Sequence, residues 1–189
     1  MSKKVKLTNE AVLMSLFAAF ISAGCFIQIP FFGGVPIVFQ DMFAVFAGLM
    51  LGGLYGVGAV MIFLCLGILG LPVFSGKAGL HVILQGVTGG FLIGYLFAAF
   101  VAGVLSHFFL KKTFGDIKTY IILIISSVIA MCIIFTCGVV GFMRVTGCDL
   151  TKAFALVVVP FMPGTILKII LLVLLGKKFC PIINNYISR

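Results

Sequence analysis

The stretch IILIISSVIAMCIIFTCGVVGFM at 121–143 decides the fold class, because it carries no charged side chain from end to end. A helix rises about 1.5 Å per residue and the hydrocarbon core of a bilayer is roughly 30 Å thick, so about 20 apolar residues cross it. Residues 42–76 form a second uncharged run. Only 9% of the chain is charged and 63% is hydrophobic, whereas soluble domains carry about 25% charged residues. The sequence therefore predicts an integral membrane protein.

Turn-forming residues divide the apolar runs into six predicted helices within one integral membrane domain, 1–189. PFFGGVP at 30–36 ends the first helix, whose apolar part is longer than the signal-peptide core of about 7–15 residues. The runs are continuous, whereas a membrane β-strand alternates over about 10 residues, so we predict an all-α membrane protein. The short second and third helices leave counts of five or seven open. The segment 73–83 is predicted to be a loop and 153–160 a short approach to the last helix. The predicted spans are about 9–29, 40–54, 56–71, 85–108, 119–143 and 161–176.

Basic side chains lie mostly on one side of this topology. With the N-terminus inside, nine basic residues fall on the inner side and three on the outer side, namely Lys77, Arg144 and Lys152. Cytoplasmic loops carry an excess of lysine and arginine, so both termini are predicted to lie in the cytoplasm. The net charge of +9 does not form a basic stripe with interleaved aromatic residues, so we expect membrane lipid and no nucleic acid as a partner.

Motifs of enzymes and of ATP binding are absent from the sequence. There is no GxxxxGK[ST], HExxH or GxSxG, and His81 and His107 lie in different regions. The six cysteines show no CxxC spacing and are interpreted as small packing residues. Glu10 and Asp41 sit at span ends, which disfavours a buried proton relay. We therefore predict no catalytic residue, no metal site and no cofactor.

Lys168 is the exceptional residue, because it lies about eight residues into the last predicted span. A lysine at this depth costs at least ~2.5 kcal/mol unless it finds a partner or water. We interpret its ammonium as facing a cavity and binding an anionic or carbonyl group. The alternative is that its long stem carries the charge to the outer interface. Thr165 lies on the same helix face and either joins this site or bonds to its own backbone.

Four other polar side chains are weaker candidates for the same site. Gln85, Thr88 and Tyr95 are the polar groups of the fourth span that could face inward, and Gln40 lies at the start of the second span.

Small residues line one face of the first helix at four-residue spacing. Such a face lets another helix approach closely, which drives helix association in lipid. The stripe is predicted either to pack within this protein or to dock a partner membrane subunit. Its members are Ala11, Ser15, Ala19 and Ala23.

Four motifs follow one another along the chain: VPIVFQ at 35–40, GLPVFSGKAG at 70–79, QGVTGGFLIGYLFAAFVAG at 85–103 and PFMPGTILK at 160–168. In this order they resemble the BioY family, over about 8–176. BioY proteins are the biotin-binding S components of energy-coupling factor (ECF) transporters. The resemblance implies a six-helix ECF S-component fold and an outward-facing vitamin site. It also implies a transmembrane coupling subunit and two ATPase subunits as partners, with the stripe on the first helix docking the coupling subunit.

The sequence departs from the family pattern in its last block. That block resembles PFxPGDxxK, with Lys168 retained and Thr165 where the acid would be. No arginine precedes Lys118, so Lys77 or Gln85 would replace the one that relatives carry. Biotin is the leading ligand, with its alkyl chain held by Phe74, Phe91 and Phe161. The alternatives are an S component for another carboxylate such as lipoate, a membrane scaffold without ligand, and a self-sufficient secondary carrier.

Overall fold

The computed structural model describes residues 3–29, 37–110 and 116–187, with side chains described for 9–27, 38–109 and 117–179. Nearly all of the described chain is helical. Two short strands, β1 (Gln28–Ile29) and β2 (Ile37–Val38), pair antiparallel, and a 3-10 turn at Val159–Phe161 precedes the last helix. The helices are α1 (Lys3–Gly24), α2 (Gln40–Leu51), α3 (Gly53–Ile68), α4 (Leu80–Leu84), α5 (Gly89–Leu110), α6 (Asp116–Thr146), α7 (Leu150–Val157) and α8 (Met162–Ile187).

Three stretches of the described chain are long and apolar enough to cross a membrane, at Gly89–Phe109, Ile117–Thr146 and Leu150–Phe179. Shorter apolar helices cover Asn9–Gly24, Gln40–Leu51 and Gly53–Ile68. The described chain therefore contains six main helices, α1, α2, α3, α5, α6 and α8, as the all-α interpretation predicts.

Helix α2 lies at the centre of the bundle. It packs against α1, α3, α5, α6 and α8, and every residue from Ala44 to Leu51 is buried. A helix that is apolar on all sides is stable only when other helices surround it. Because α2 begins at Gln40, the polar side chains of its first turn lie close to the middle of the bundle.

Two glycines set the path of the chain around α2. A Cβ atom at Gly48 would overlap the backbone of Ala99, so α2 and α5 touch through their main chains. Gly52 has φ +87°, a conformation that costs an L side chain roughly 1–2 kcal/mol. This residue ends α2 and lets α3 begin at Gly53 in a new direction.

Four predicted assignments are corrected. The predicted loop at 73–83 contains a bridge between Phe74 and Lys77 and the start of α4. The fourth main helix begins at Gly89 rather than 85, because the chain turns after α4 where the N–H of Gly86 bonds the carbonyl of Val82. Residues 153–160 form most of α7 and the 3-10 turn, and α8 continues to Ile187 instead of ending near 176. The motif PFFGGVP at 30–36 lies outside the described residues.

Candidate functional site

A cavity of about 120 Å³ opens where the first turns of α2 and α5 meet α6 and α8. One side of it is polar and the rest is aromatic or aliphatic. We call it the polar cavity. It is lined by Val38, Gln40, Asp41, Phe74, Ser75, Thr88, Phe91, Leu92, Tyr95, Phe135, Phe161 and Lys168.

An ion pair between α2 and α8 forms the polar side of this cavity. The Nζ atom of Lys168 lies 2.8 Å from both carboxylate oxygens of Asp41. Lys168 is 3% exposed, so its ammonium group has lost most of its water. A charge-assisted contact with Asp41 on another helix replaces that water. This contact accounts for a lysine within the membrane-spanning bundle, because each ion supplies the partner that burial demands.

Residues 73–79 lie over the cavity, and we call them the cover segment. Gln40 holds this segment in place, because its Nε2 atom donates a hydrogen bond of 2.8 Å to the carbonyl of Val73. The main chain of Phe74 and Lys77 is bonded in both directions at 3.0 Å. Ser75 has φ +52° and is the non-glycine residue with positive φ in the described chain. Such conformations persist where surrounding contacts enforce them, often at functional sites.

Aromatic rings complete the walls. Phe74 packs edge-on against Phe63 with ring centres 5.5 Å apart, and Phe91 packs against Phe135 at 6.4 Å. Tyr95 is buried beside them. The combination of apolar walls with a few fixed polar groups is typical of small-molecule sites.

Comparison with known proteins identifies the family of this chain. The family model described as "BioY family" matches residues 1–185.

The chain belongs to the BioY family.

Individual relatives agree with this assignment. The chain is 36% identical to the biotin transporter BioY of Rhizobium etli, over 90% of this chain and 92% of the relative. It is 32% identical to the biotin transporter BioY of Thermotoga maritima, over 90% and 95%, and equally similar to a probable biotin transporter BioY of Pyrococcus horikoshii. These matches confirm the resemblance predicted from the four sequence motifs.

A solved structure confirms the fold. The crystal structure of the S-component for biotin from an ECF-type ABC transporter superposes with a TM-score of 0.78 and 31% identity, over 95% of this chain and 94% of the other. The BioY-family chain therefore has the six-helix S-component fold of a multi-pass membrane protein.

Seven of the ten predicted ligand-binding residues line the polar cavity. They come from four separate parts of the chain, and the bundle brings them together. They are Lys168, Gln40, Thr88, Tyr95, Phe74, Phe91 and Phe161.

The other three predicted residues lie elsewhere. Lys77 and Gln85 are exposed and do not line the cavity. The hydroxyl of Thr165 donates a 2.9 Å hydrogen bond to the carbonyl of Phe161, and its side chain lines a second, apolar cavity. A helix turns about 100° per residue, so a spacing of three residues does not ensure that two side chains enter the same cavity.

Asp41 is the main residue that the sequence reasoning missed. A signal existed, because the chain has only four acidic residues and an intramembrane lysine requires an acid or a carbonyl partner. Asp41 was set aside as lying at a span end. Ser75, Phe135, Val38 and Leu92 also line the cavity without having been predicted.

The pair also changes what Lys168 implies. The alternative that its stem carries the charge to the interface is wrong, because the side chain is buried. However, Asp41 satisfies Lys168 inside the protein. Therefore the presence of a buried lysine is not by itself evidence of a ligand. The evidence for a ligand site is the cavity beside the lysine.

The small-residue stripe of α1 lies on the surface of the BioY-family chain. Its four residues are exposed, whereas Phe17, Ala18 and Ile21 of the same helix are buried in the core. The hydroxyl of Ser15 bonds the carbonyl of Ala11 at 3.0 Å, so the stripe presents no unsatisfied hydroxyl. The stripe therefore does not pack within the described chain, and it remains available to another molecule.

Proposed function

We propose that this chain is the biotin-binding S component of an ECF transporter and captures biotin for uptake. Biotin transporters that match 90% of its length and a biotin S component that matches 95% support this proposal. In the structure, the strongest support is the Asp41–Lys168 pair set in an aromatic cavity. The relatives are transporters rather than enzymes, which agrees with the absence of a catalytic motif.

The ion pair suits the ureido ring of biotin, which carries N–H donors beside a carbonyl acceptor. Asp41 would accept from an N–H, and Lys168 would donate to the carbonyl. Hydrogen bonds to charged groups contribute about 1.5–3 kcal/mol each. A ligand carboxylate in this position would be repelled by Asp41, so the ring faces the pair and the carboxylate points away from it.

The alkyl chain then extends along the aromatic walls toward the cover segment. Phe74, Phe91 and Phe161 would bury its methylene groups, at about 0.8 kcal/mol for each one. Thr88 and Tyr95 supply polar atoms along this path, while Lys77 lies on the cover segment, where the ligand carboxylate would arrive.

Biotin requires more space than the cavity provides in this conformation. The volume is about 120 Å³, whereas pockets for small molecules span roughly 300–1,000 Å³. The cover segment is anchored by the buried side chains of Val73 and Phe74 and by the hydrogen bonds of Gln40 to Val73 and of the Gly79 N–H to Gly67, whereas its residues 75–77 are exposed. We infer that it moves outward to admit the ligand.

The lipoate alternative fits the ion pair less well. Lipoate has no N–H donor, so Asp41 would lose water without gaining a ligand hydrogen bond, at a cost of about 1–3 kcal/mol. Biotin is therefore the ligand that the geometry supports best. A ligand-free scaffold would leave the polar cavity without a role.

Mass spectrometry of small molecules released from the purified protein tests this function. Cells are grown with equal biotin and lipoate, the protein is purified in mild detergent, and bound molecules are released by denaturation. We expect stoichiometric biotin from the native chain and a strong reduction from Asp41→Asn. Recovery of lipoate instead, or of neither compound from well-folded protein, would exclude the proposal.

The proposed partners are those of an ECF transporter, a transmembrane coupling subunit and two ATPase subunits. The exposed stripe of α1 supports docking of the coupling subunit, because small side chains let two membrane helices approach closely. The basic residues support an orientation with both termini in the cytoplasm. In that orientation the polar cavity opens to the outside, where a vitamin is captured.

A further inference from the structure

A second cavity lies behind Phe135, on the side away from the Asp41–Lys168 pair. It is a groove of about 520 Å³ between α6, α7 and the start of α8, and we call it the lateral groove. Phe135 lines both cavities. The other principal walls of the groove are Val140 of α6, Phe154 of α7, and Met162 and Ile166 of α8.

The lateral groove offers apolar surface and no free hydroxyl. The hydroxyl of Thr136 bonds the carbonyl of Cys132 at 2.8 Å, and that of Thr165 bonds Phe161. Val140 and Ile166 are each 62% exposed. Because α6 and the α7–α8 stretch are among the membrane-spanning parts of the chain, the groove faces lipid hydrocarbon. A polar ligand finds no partner there, whereas an alkyl chain is compatible with every wall.

Arg144 is not a wall of the groove, but it lies one helical turn beyond Val140, which is one. Thr136, Val140 and Arg144 follow one another at four-residue spacing on α6, so Arg144 lies about 12 Å beyond Thr136 along the helix axis. Helix α6 has 31 residues and is longer than the roughly 20 that cross the hydrocarbon core. Arg144, close to the end of α6, therefore lies at the level of the lipid headgroups.

The charge of Arg144 is not neutralised within the described chain. Its side chain is exposed, and neither ion pair of the described residues includes it. The neighbouring cation Lys152 differs, because it lies 3.9 Å from Asp149. An arginine fork matches the geometry of a phosphate group. An apolar groove with an unneutralised arginine one helical turn beyond its wall therefore combines the surfaces that an acyl chain and a lipid phosphate require.

We propose that the lateral groove binds one acyl chain of an anionic phospholipid whose phosphate is held by Arg144. The bound chain packs on the back of Phe135 and closes the wall that separates the polar cavity from the bilayer. The lipid site does not depend on the identity of the transported ligand.

Native mass spectrometry of protein released from nanodiscs tests this site. The nanodiscs contain equal amounts of dioleoyl phosphatidylglycerol and dioleoyl phosphatidylcholine. The native chain should retain phosphatidylglycerol preferentially. Arg144→Gln should lower that preference about fivefold, the equivalent of roughly 1 kcal/mol for one basic side chain near an anionic surface. Val140→Trp should fill the groove and reduce retention of both lipids.

Two matched variants serve as controls. Lys152→Gln removes a nearby cation outside the groove wall, and Ile125→Trp adds the same bulk at an exposed position of α6 away from the groove. Both should retain lipid like the native chain. Equal retention of the two lipids by the native chain, or an unchanged preference in Arg144→Gln, would overturn the proposal. So would a Val140→Trp variant that keeps its lipid but no longer captures the coupling subunit, because the occupant would then be a protein helix.

Discussion

Lys168 is stable within the bundle because Asp41 meets it from another helix. The pair brings together a cation and an anion that are 127 residues apart in sequence. Removing one member of a buried pair leaves the other charge without compensation, and this costs more than the net contribution of the pair itself. Stability and ligand binding can therefore be separated by choosing which charges are removed.

Lys168→Met is expected to weaken biotin binding by about 10–150-fold, because one charge-assisted hydrogen bond of ~1.5–3 kcal/mol is lost. The variant should also melt earlier, since Asp41 becomes unpaired. The double variant Asp41→Leu/Lys168→Met should recover most of the stability without recovering binding. Calorimetry and melting curves measure the two effects, with Lys152→Met as an exposed control. Full-strength binding by Lys168→Met would remove the lysine from the site.

Thr165→Asp tests how many acids Lys168 accommodates. With Asp41 present, a second carboxylate one helical turn from Lys168 has no cation of its own, so the melting temperature should fall. In an Asp41→Asn background the melting temperature should fall by a similar amount, because the side chain at position 165 lies in the apolar lateral groove and not in the polar cavity. A rise in stability above that of Asp41→Asn alone would show that the new carboxylate reaches Lys168.

Glycine contacts determine how closely the helices pack. At Gly48 the backbones of α2 and α5 meet, so an added methyl group has no space. At Gly58 of α3 an added Cβ would meet only the side chain of Met14, whose Sδ atom is 2.6 Å away near the flexible end of that side chain. The two positions therefore provide a matched comparison of a rigid and a soft contact.

Gly48→Ala is expected to destabilise the protein by roughly 1–3 kcal/mol, the usual cost of overpacking. Gly58→Ala should be neutral or stabilising by up to ~1 kcal/mol, because alanine favours the helix and Met14 can move. Denaturation in detergent, followed by the change in helical signal, compares the two variants. Equal stability of both would contradict the close α2–α5 contact.

The stripe of α1 makes a prediction about partner binding. Ala19→Leu should reduce capture of the coupling subunit while leaving biotin binding by the isolated chain unchanged, because bulk on the exposed face separates two helices without entering the core. Val12→Phe adds bulk on an exposed part of α1 outside the stripe and should have little effect. Pull-down and calorimetry give the two readouts. Loss of biotin binding with normal capture would show that the stripe supports the fold instead.

The bundle has two distinct ends. The cover segment, the first turns of α2 and α5 and the start of α8 meet at the end that carries the polar cavity. If both termini lie inside, as we propose, the alternation of helices assigns this end to the exterior. That topology predicts three basic residues on the outer side and nine on the inner side, in line with the cytoplasmic excess of lysine and arginine.

Labelling of single cysteines in a cysteine-free background tests this orientation. A cysteine at position 152 should react with a membrane-impermeant reagent added to intact cells, because Lys152 is exposed beyond α6. A cysteine at position 118, at the other end of α6, should react only after the cells are opened. The reverse pattern would invert the topology and place the polar cavity on the cytoplasmic side.

Composition and the order of residues along the chain were sufficient to predict a membrane protein and the number of its main helices. Uncharged runs long enough to cross a bilayer predict spans because the hydrocarbon core admits only backbones that satisfy their own hydrogen bonds. Four motifs in order were sufficient for the family. Apolar runs do not reveal where a helix changes direction, so the start of α5 and the helix α7 were misjudged.

The contents of the site depended on packing between distant segments. Spacing along one helix suggested Thr165 as the neighbour of Lys168, yet the partner is Asp41, brought there by the contact between α2 and α8. Seven cavity residues could be predicted because they are the polar and aromatic exceptions within the family motifs. Asp41 could have been proposed as one of only four acids, but Phe135 and the lateral groove could not, because the angles at which helices cross are set by side chains meeting across the bundle. The sequence by itself determined that this chain crosses a membrane, whereas only the tertiary structure decided which charges meet inside it.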